Sequence, residues 1–153
     1  MTAGDEKELI TPDKFLQYAK RIVSVPSAPE EEARSAVSRA YYSLYHEALE
    51  LMIRRYSLDL IKEIEKEWGK HLTHQEKTQL NSLDPDFLKR VNFHRILPNA
   101  IRNQKKPIIA VKFINFRDKR NQADYDLKLD ISCSDASTVV TNIDGFVTVV
   151  RAL

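Results

Sequence analysis

Hydrophobic side chains recur along this chain at three- and four-residue intervals, the period of helices and not the alternation of strands. Thr11-Pro12-Asp13 reads as a helix start, with Thr as the cap and Pro in the first turn. Phe15, Tyr18, Ala19 and Ile22 keep helical spacing behind it, and Val25-Pro26-Ser27-Ala28-Pro29 stops it. The second helix is expected from about Glu30 to Tyr56, with Glu30, Glu31 and Glu32 at its positive dipole end. Val37, Ala40, Tyr41, Leu44, Ala48, Leu51 and Met52 form one apolar stripe on it; Tyr42, Tyr45, Leu49, Ile53 and Tyr56 form another. A helix apolar on two sides is a central one, packed in its own bundle and against something further, such as a second copy of the chain.

Residues 57–85 are helical in part, with Leu60, Ile61, Ile64 and Trp68 in register before Gly69. Asp84-Pro85-Asp86 opens a further helix through Phe87, Leu88 and Val91 towards Pro98, and Asn103-Gln104-Lys105-Lys106-Pro107 reads as a loop. Another helix is expected over Ile108–Asp126, its inward face made by Ile109, Phe113, Phe116, Arg120 and Ala123 or Leu127. Ser134-Asp135-Ala136-Ser137 is expected to cap a last helix carrying Val139, Val140, Ile143, Phe146, Val147 and Val150. Its β-branched content leaves a strand open there, but the pattern and the cap favour a helix. The expected fold class is therefore all-α.

With 153 residues and 17.7 kDa there is room for one domain, read as residues 11–153 behind a loose, charged tail at 1–10. The single cysteine, Cys133, excludes an intrachain disulfide and a multi-cysteine zinc site. Three glycines, Gly4, Gly69 and Gly145, lie too far apart for a P-loop, a dinucleotide fingerprint or a nucleophile elbow. No apolar run has the length of a membrane span, and the acidic, polar N-terminus is unlike a signal peptide. The expectation is a soluble, cytoplasmic protein with no membrane association and no cofactor.

Charge changes the picture more than composition does. Residues 87–128 carry 11 basic and 3 acidic side chains, net +8, against −4 over residues 1–86 and −2 over 129–153. Clustered Lys and Arg of this kind suit a polyanion, or else a solvated surface balanced in space by the acidic first half.

Arg120 stands in register with Phe113 and Phe116, on a face that should be buried. Taking a guanidinium out of water costs several kcal/mol unless it is paired. Asp124, four residues on, can pair with it and fix the packing; alternatively Arg120 meets a phosphate in a cleft. On the second helix, Arg39, Tyr42 and His46 fall at i, i+3 and i+7 and make a polar edge, from which Arg39 can reach across the bundle to Arg120. Tyr42 and His46 read alternatively as hydrogen-bonded core residues, the more common fate of such side chains.

Two strings carry a resemblance. Ser35-Ala36-Val37-Ser38-Arg39-Ala40-Tyr41-Tyr42-Ser43-Leu44-Tyr45-His46 resembles the second helix of HEPN-domain proteins, where an SRAYYxxxH-type string recurs. Arg120-Asn121-Gln122-Ala123-Asp124-Tyr125-Asp126 is similar to the RxxADYD string on the fourth helix of small stand-alone HEPN proteins, the minimal nucleotidyltransferase/HEPN toxin–antitoxin type. The strings come in the family's order, about 80 residues apart, and the resemblance spans most of residues 11–150.

The resemblance implies a four- to five-helix up-and-down bundle, paired into a two-fold homodimer. It also implies metal-independent RNA cleavage by an Arg-x4–6-His motif, in which the ribose 2′-hydroxyl attacks the adjacent phosphate. Arg120 then takes the arginine position, while Tyr125 stands where the histidine belongs. A histidine near 6.5 takes a proton at neutral pH, whereas a tyrosine near 10 is a poor base. Arg120 and Tyr125 become the catalytic candidates, and Arg39, Tyr42, His46, Arg117, Asn121 and Asp124 the residues of the cleft. The alternative is a catalytically inactive HEPN module that binds nucleic acid or a nucleotidyltransferase-like antitoxin. The tyrosine that such a partner modifies in some HEPN toxins is Leu127 here.

Helical geometry sets a limit on the catalytic pair. Five residues turn about 500°, which leaves Tyr125 about 140° from Arg120, with Asp124 only about 40° away. Arg120 and Tyr125 can share a cleft only across a dimer or in a distorted helix. His71 and His74 have a ligand spacing but no third partner, so no metal site is assigned.

Overall fold

The computed structural model describes residues 11–104 and 106–153, which form seven helices and no strand. The tail at 1–10 and Lys105 lie outside the described residues. Helix α1 spans Pro12–Val23, α2 Glu30–Trp68, α3 His74–Asn81, α4 Pro85–Arg90, α5 Phe93–Asn103, α6 Pro107–Tyr125 and α7 Cys133–Arg151. The all-α class follows directly.

Helix α2 is the axis of the molecule, and α1, α5, α6 and α7 all pack against it. Its sequence explains why. Ala33, Ala36, Ala40 and Ala48 are fully buried and let neighbours approach closely, while Val37, Tyr41, Leu44, Leu49, Leu51 and Met52 fill the space between. In the second stripe only Leu49 is fully buried; Tyr42, Tyr45, Ile53 and Tyr56 are half-buried and line an edge. The helix continues twelve residues past its expected end at Tyr56. It breaks register there, with Tyr56 at φ −133°, ψ 34°, and resumes until Gly69 closes it in the left-handed conformation, φ 68°.

Three other boundaries differ from the sequence pattern. The helix expected from Asp84 towards Pro98 is two helices, because Val91 adopts extended angles between α4 and α5. Pro98 then falls inside α5 and not at its end. The cap of α7 is Ser132, two residues before the expected Ser134. Ser132 accepts from the Asp135 amide at 3.0 Å, and Asp135 accepts from the Ser132 amide at 3.1 Å, a closed capping box that outcompetes a cap at Ser134. On α6, Phe113, Arg120 and Ala123 are buried, but Leu127 lies beyond the helix end and is 81% exposed, so Ala123 completes the inward face.

Two ties hold the ends of the bundle. The Arg151 guanidinium bridges Asp13 of α1 and Glu47 of α2. Arg34 of α2 reaches the last carbonyls of α6, so the beginning of one helix fixes the end of the other.

Candidate functional site

Arg120, Tyr41 and His94 meet where α6, α2 and α5 converge. The Arg120 side chain is 10% exposed, and its guanidinium lies over the Tyr41 ring at 5.1 Å from the centroid. The Tyr41 hydroxyl is hydrogen-bonded to Nδ1 of His94 at 2.7 Å. His94 also stacks on Tyr45, with ring centroids 4.4 Å apart and planes 28° from parallel.

A proline organises this corner. Pro98 has no amide hydrogen, so the His94 carbonyl four residues earlier lacks its helical donor. Arg117 of α6 donates to that carbonyl through Nη1 at 3.1 Å. The proline in α5 thus recruits a second guanidinium beside His94.

The Arg120–Asp124 pair is looser than the sequence suggests. Nη1 of Arg120 stands 3.9 Å from Oδ2 of Asp124, beyond hydrogen-bonding range. The same carboxylate oxygen accepts from Ser38 Oγ at 3.3 Å. Nε of Arg120 is buried with no acceptor, and no N–H of this guanidinium donates to a protein atom among the described residues. A nine-tenths buried arginine with no hydrogen bond is rare, since leaving charged donors unpaired costs several kcal/mol.

The other candidates divide between two sides. Tyr42 and His46 belong to an aromatic row that runs from Phe15 of α1 through His46 to Tyr45 and His94. Arg39 is exposed, with its guanidinium over Phe15 at 5.7 Å, on the α1 side of α2 and not against Arg120. Arg117 flanks His94 as described. Asn121 and Tyr125 face outwards on α6, Tyr125 being 73% exposed, as helical geometry requires when Arg120 points in. Together they line an open hollow with Gln122 and Asp126. Within one chain Arg120 and Tyr125 are therefore not brought together.

Burial and charge set the protonation states here. Burial first, then the guanidiniums of Arg120 and Arg117, lower His94 to about 4. Burial lowers His46 as well, against the opposing pull of Glu50. Tyr45 is pushed up to about 12 by burial and by Tyr42, and burial raises Tyr41 well above the ordinary range despite the two nearby arginines. The tyrosines stay as neutral hydroxyls, and His94 is neutral at pH 7.

These shifts predict an acid limb in stability. Between its unfolded value near 6.5 and about 4, His94 binds more protons unfolded than folded. Its contribution is therefore complete above about pH 6.5 and is lost as pH falls to about 4. Melting temperatures measured over that window should fall more steeply for wild type than for His94→Gln. Parallel curves would place the titration elsewhere.

The sequence pattern gave His94 no role, because it stands on a short helix between two breaks. The available signal was a histidine four residues before a proline, which announces a carbonyl in need of a donor. Elsewhere, His71 is fully exposed and pairs with Glu65 at 3.1 Å, and among the described residues no three His, Cys, Asp or Glu side chains are grouped to hold a metal ion. Cys133 Sγ contacts the Val25 carbonyl at 3.3 Å. No helix among the described residues is long and apolar enough to cross a membrane. No protein-family model, curated protein or solved structure matches this chain.

Proposed function

We propose that this chain is an RNA-directed protein of the HEPN type, belonging to a toxin–antitoxin or defence system and acting as a homodimer. The observation that carries the reading is Arg120: a guanidinium nine-tenths buried, placed over Tyr41, whose buried Nε has no acceptor and whose Nη1 stands 3.9 Å from Asp124, beyond hydrogen-bonding range. A phosphodiester oxygen is the acceptor that such a fork fits best, and its charge offsets the cost of burying the arginine. Three further features support it. The SRAYY and RxxADYD strings lie on α2 and α6, which pack together. The half-buried row of Tyr42, His46 and Tyr45, which reaches His94, offers faces on which unpaired bases can stack. The +8 segment contains α5 and α6 and supplies long-range attraction.

In this reading Arg120 stabilises the charge that builds on the phosphate as the ribose 2′-hydroxyl attacks it. Asp124, held by Ser38, limits how far the guanidinium can swing. One observation favours the second reading, a non-catalytic module that binds RNA or a nucleotidyltransferase-like partner. Tyr125, in the motif's histidine position, faces solvent away from Arg120, so α6 brings no proton-transfer group to its side.

The deciding experiment incubates the protein with a pool of tRNA and mRNA in EDTA at several salt concentrations. RNA retention that weakens steeply as salt rises is expected, because phosphate contacts displace counterions. Fragments ending in a 2′,3′-cyclic phosphate would establish cleavage without metal; retention without fragments would establish the binding module. RNA that is neither retained nor cut at low salt ends the proposal.

A further inference from the structure

We infer that His94, brought to Arg120 by α5, is the proton-transfer residue of this site and meets the phosphodiester together with Arg117 and Arg120; the inference rests on the RNA-directed reading above. The geometry is specific. Nδ1 of His94 is engaged by the Tyr41 hydroxyl at 2.7 Å and the ring is stacked on Tyr45 at 4.4 Å, so its orientation is fixed. Nε2 has no protein partner among the described residues and is not counted with the buried, unpartnered atoms, so it remains open to a ligand. Arg120 covers the same Tyr41 ring, and Arg117 is bonded to the His94 carbonyl. One tyrosine thus aligns an arginine and a histidine supplied by two different helices.

The chemistry closes without a metal or a co-reactant. With Nδ1–H donating to the Tyr41 oxygen, Nε2 carries the lone pair. It takes the proton of the 2′-hydroxyl as the 2′-oxygen bonds to phosphorus. The P–O5′ bond breaks, the leaving 5′-oxygen takes a proton from water, and the hydroxide so formed takes the proton from His94. The products are a 2′,3′-cyclic phosphate and a 5′-hydroxyl, with the histidine restored.

The surroundings make this histidine responsive to its ligand. Tyr41, Tyr45 and His46 of α2, Arg117 and Arg120 of α6, and Arg95 beside it on α5 are the titratable and charged groups around it. The two α6 guanidiniums help to keep it deprotonated in the free protein. A bound phosphate dianion or phosphodiester neutralises that field, so His94 becomes a stronger base when substrate is present. A histidine that only fills space would not couple to an anion in this way.

The test combines a spectroscopic titration with cleavage. The His94 ring protons, assigned by comparison with His94→Asn, are followed by NMR against pH, alone, with inorganic phosphate, and with a 2′-deoxy dinucleotide that cannot be cut. Phosphate is expected to raise the midpoint of His94 by about one pH unit, as an adjacent opposite charge does. His94→Asn, whose amide can keep the bond to Tyr41, should retain RNA affinity within about threefold and lose about 100-fold or more in cleavage rate. A wild-type resonance indifferent to phosphate and dinucleotide, or equal cleavage by the variant, overturns the role of His94 while Arg120-dependent RNA binding still stands. Wild-type protein that neither binds nor cuts RNA overturns the RNA-directed reading, and the role of His94 falls with it.

Discussion

Arg120→Met is expected to raise the melting temperature by about 3 °C while reducing RNA affinity at least tenfold. The two signs come from one fact. A guanidinium nine-tenths buried without a hydrogen bond contributes little to the fold and costs desolvation, so an apolar side chain of similar length is stabilising by about 2–3 kcal/mol before the lost aromatic contact is counted. In a chain of this size about 1 kcal/mol moves the midpoint by about 2–4 °C. The substitution gives up the contact with the Tyr41 face, worth about 1–2 kcal/mol when desolvated, which keeps the gain small. Asp124 is not stranded, because Ser38 still donates to it and its side chain is 26% exposed. Thermal unfolding and RNA retention on the same preparation check both signs. A drop of 5 °C or more would instead mark Arg120 as a structural tie to Asp124, the alternative that its buried register leaves open.

Removing Arg34 has the larger effect on stability. Helix α6 ends at Tyr125, and the last carbonyls of any helix lack internal donors. The Arg34 guanidinium adds donors there, beside the Asp126 and Leu129 amides that already reach the Gln122 and Asp126 carbonyls. Nη1 donates to the carbonyls of Gln122 at 3.2 Å, Ala123 at 3.0 Å and Asp126 at 3.1 Å, and Nη2 donates to the carbonyl of Leu129. Glu30 holds the fork from below at 2.9 Å and itself accepts from the Ile131 amide at 3.1 Å. One side chain of α2 therefore closes α6 and orders the connection to α7.

Hydrogen bonds from a charged donor contribute about 1.5–3 kcal/mol each, and several sharing one group do not add in full. We expect Arg34→Ala to cost about 4 kcal/mol, a fall of about 12 °C. Arg34→Lys should recover less than half, since an ammonium has no planar fork with which to reach four carbonyls. Urea denaturation of the three proteins measures this. A cost below about 1 kcal/mol for the alanine variant would mean that water replaces the guanidinium without penalty.

Much of the helical framework was legible because the forces that set it act within a few residues. Thr11-Pro12 and Asp84-Pro85 opened helices as expected, and the apolar stripe from Val37 to Met52 marked α2 as the central element. Arg120 was placed on the inward face by its register with Phe113 and Phe116. The same arithmetic separated it from Tyr125. Local competition explains the misses at boundaries: Ser132 captured the cap of α7 by closing a box with Asp135, and Val91 split one expected helix into two.

What the tertiary structure alone decided is the company that Arg120 keeps. Tyr41 and His94 are 53 residues apart, and Arg34 lies 88 to 95 residues from the carbonyls it binds. Periodicity assigns a residue to a face but not to a neighbour on another helix, because that depends on crossing angles, helix lengths and the loops between. Tyr41 read as one apolar residue in a stripe, and its hydroxyl acquired meaning only when α5 set a histidine against it. Whether a buried arginine is paired or left with free donors is likewise a matter of a few tenths of an ångström, set by the packing of α2, α5 and α6.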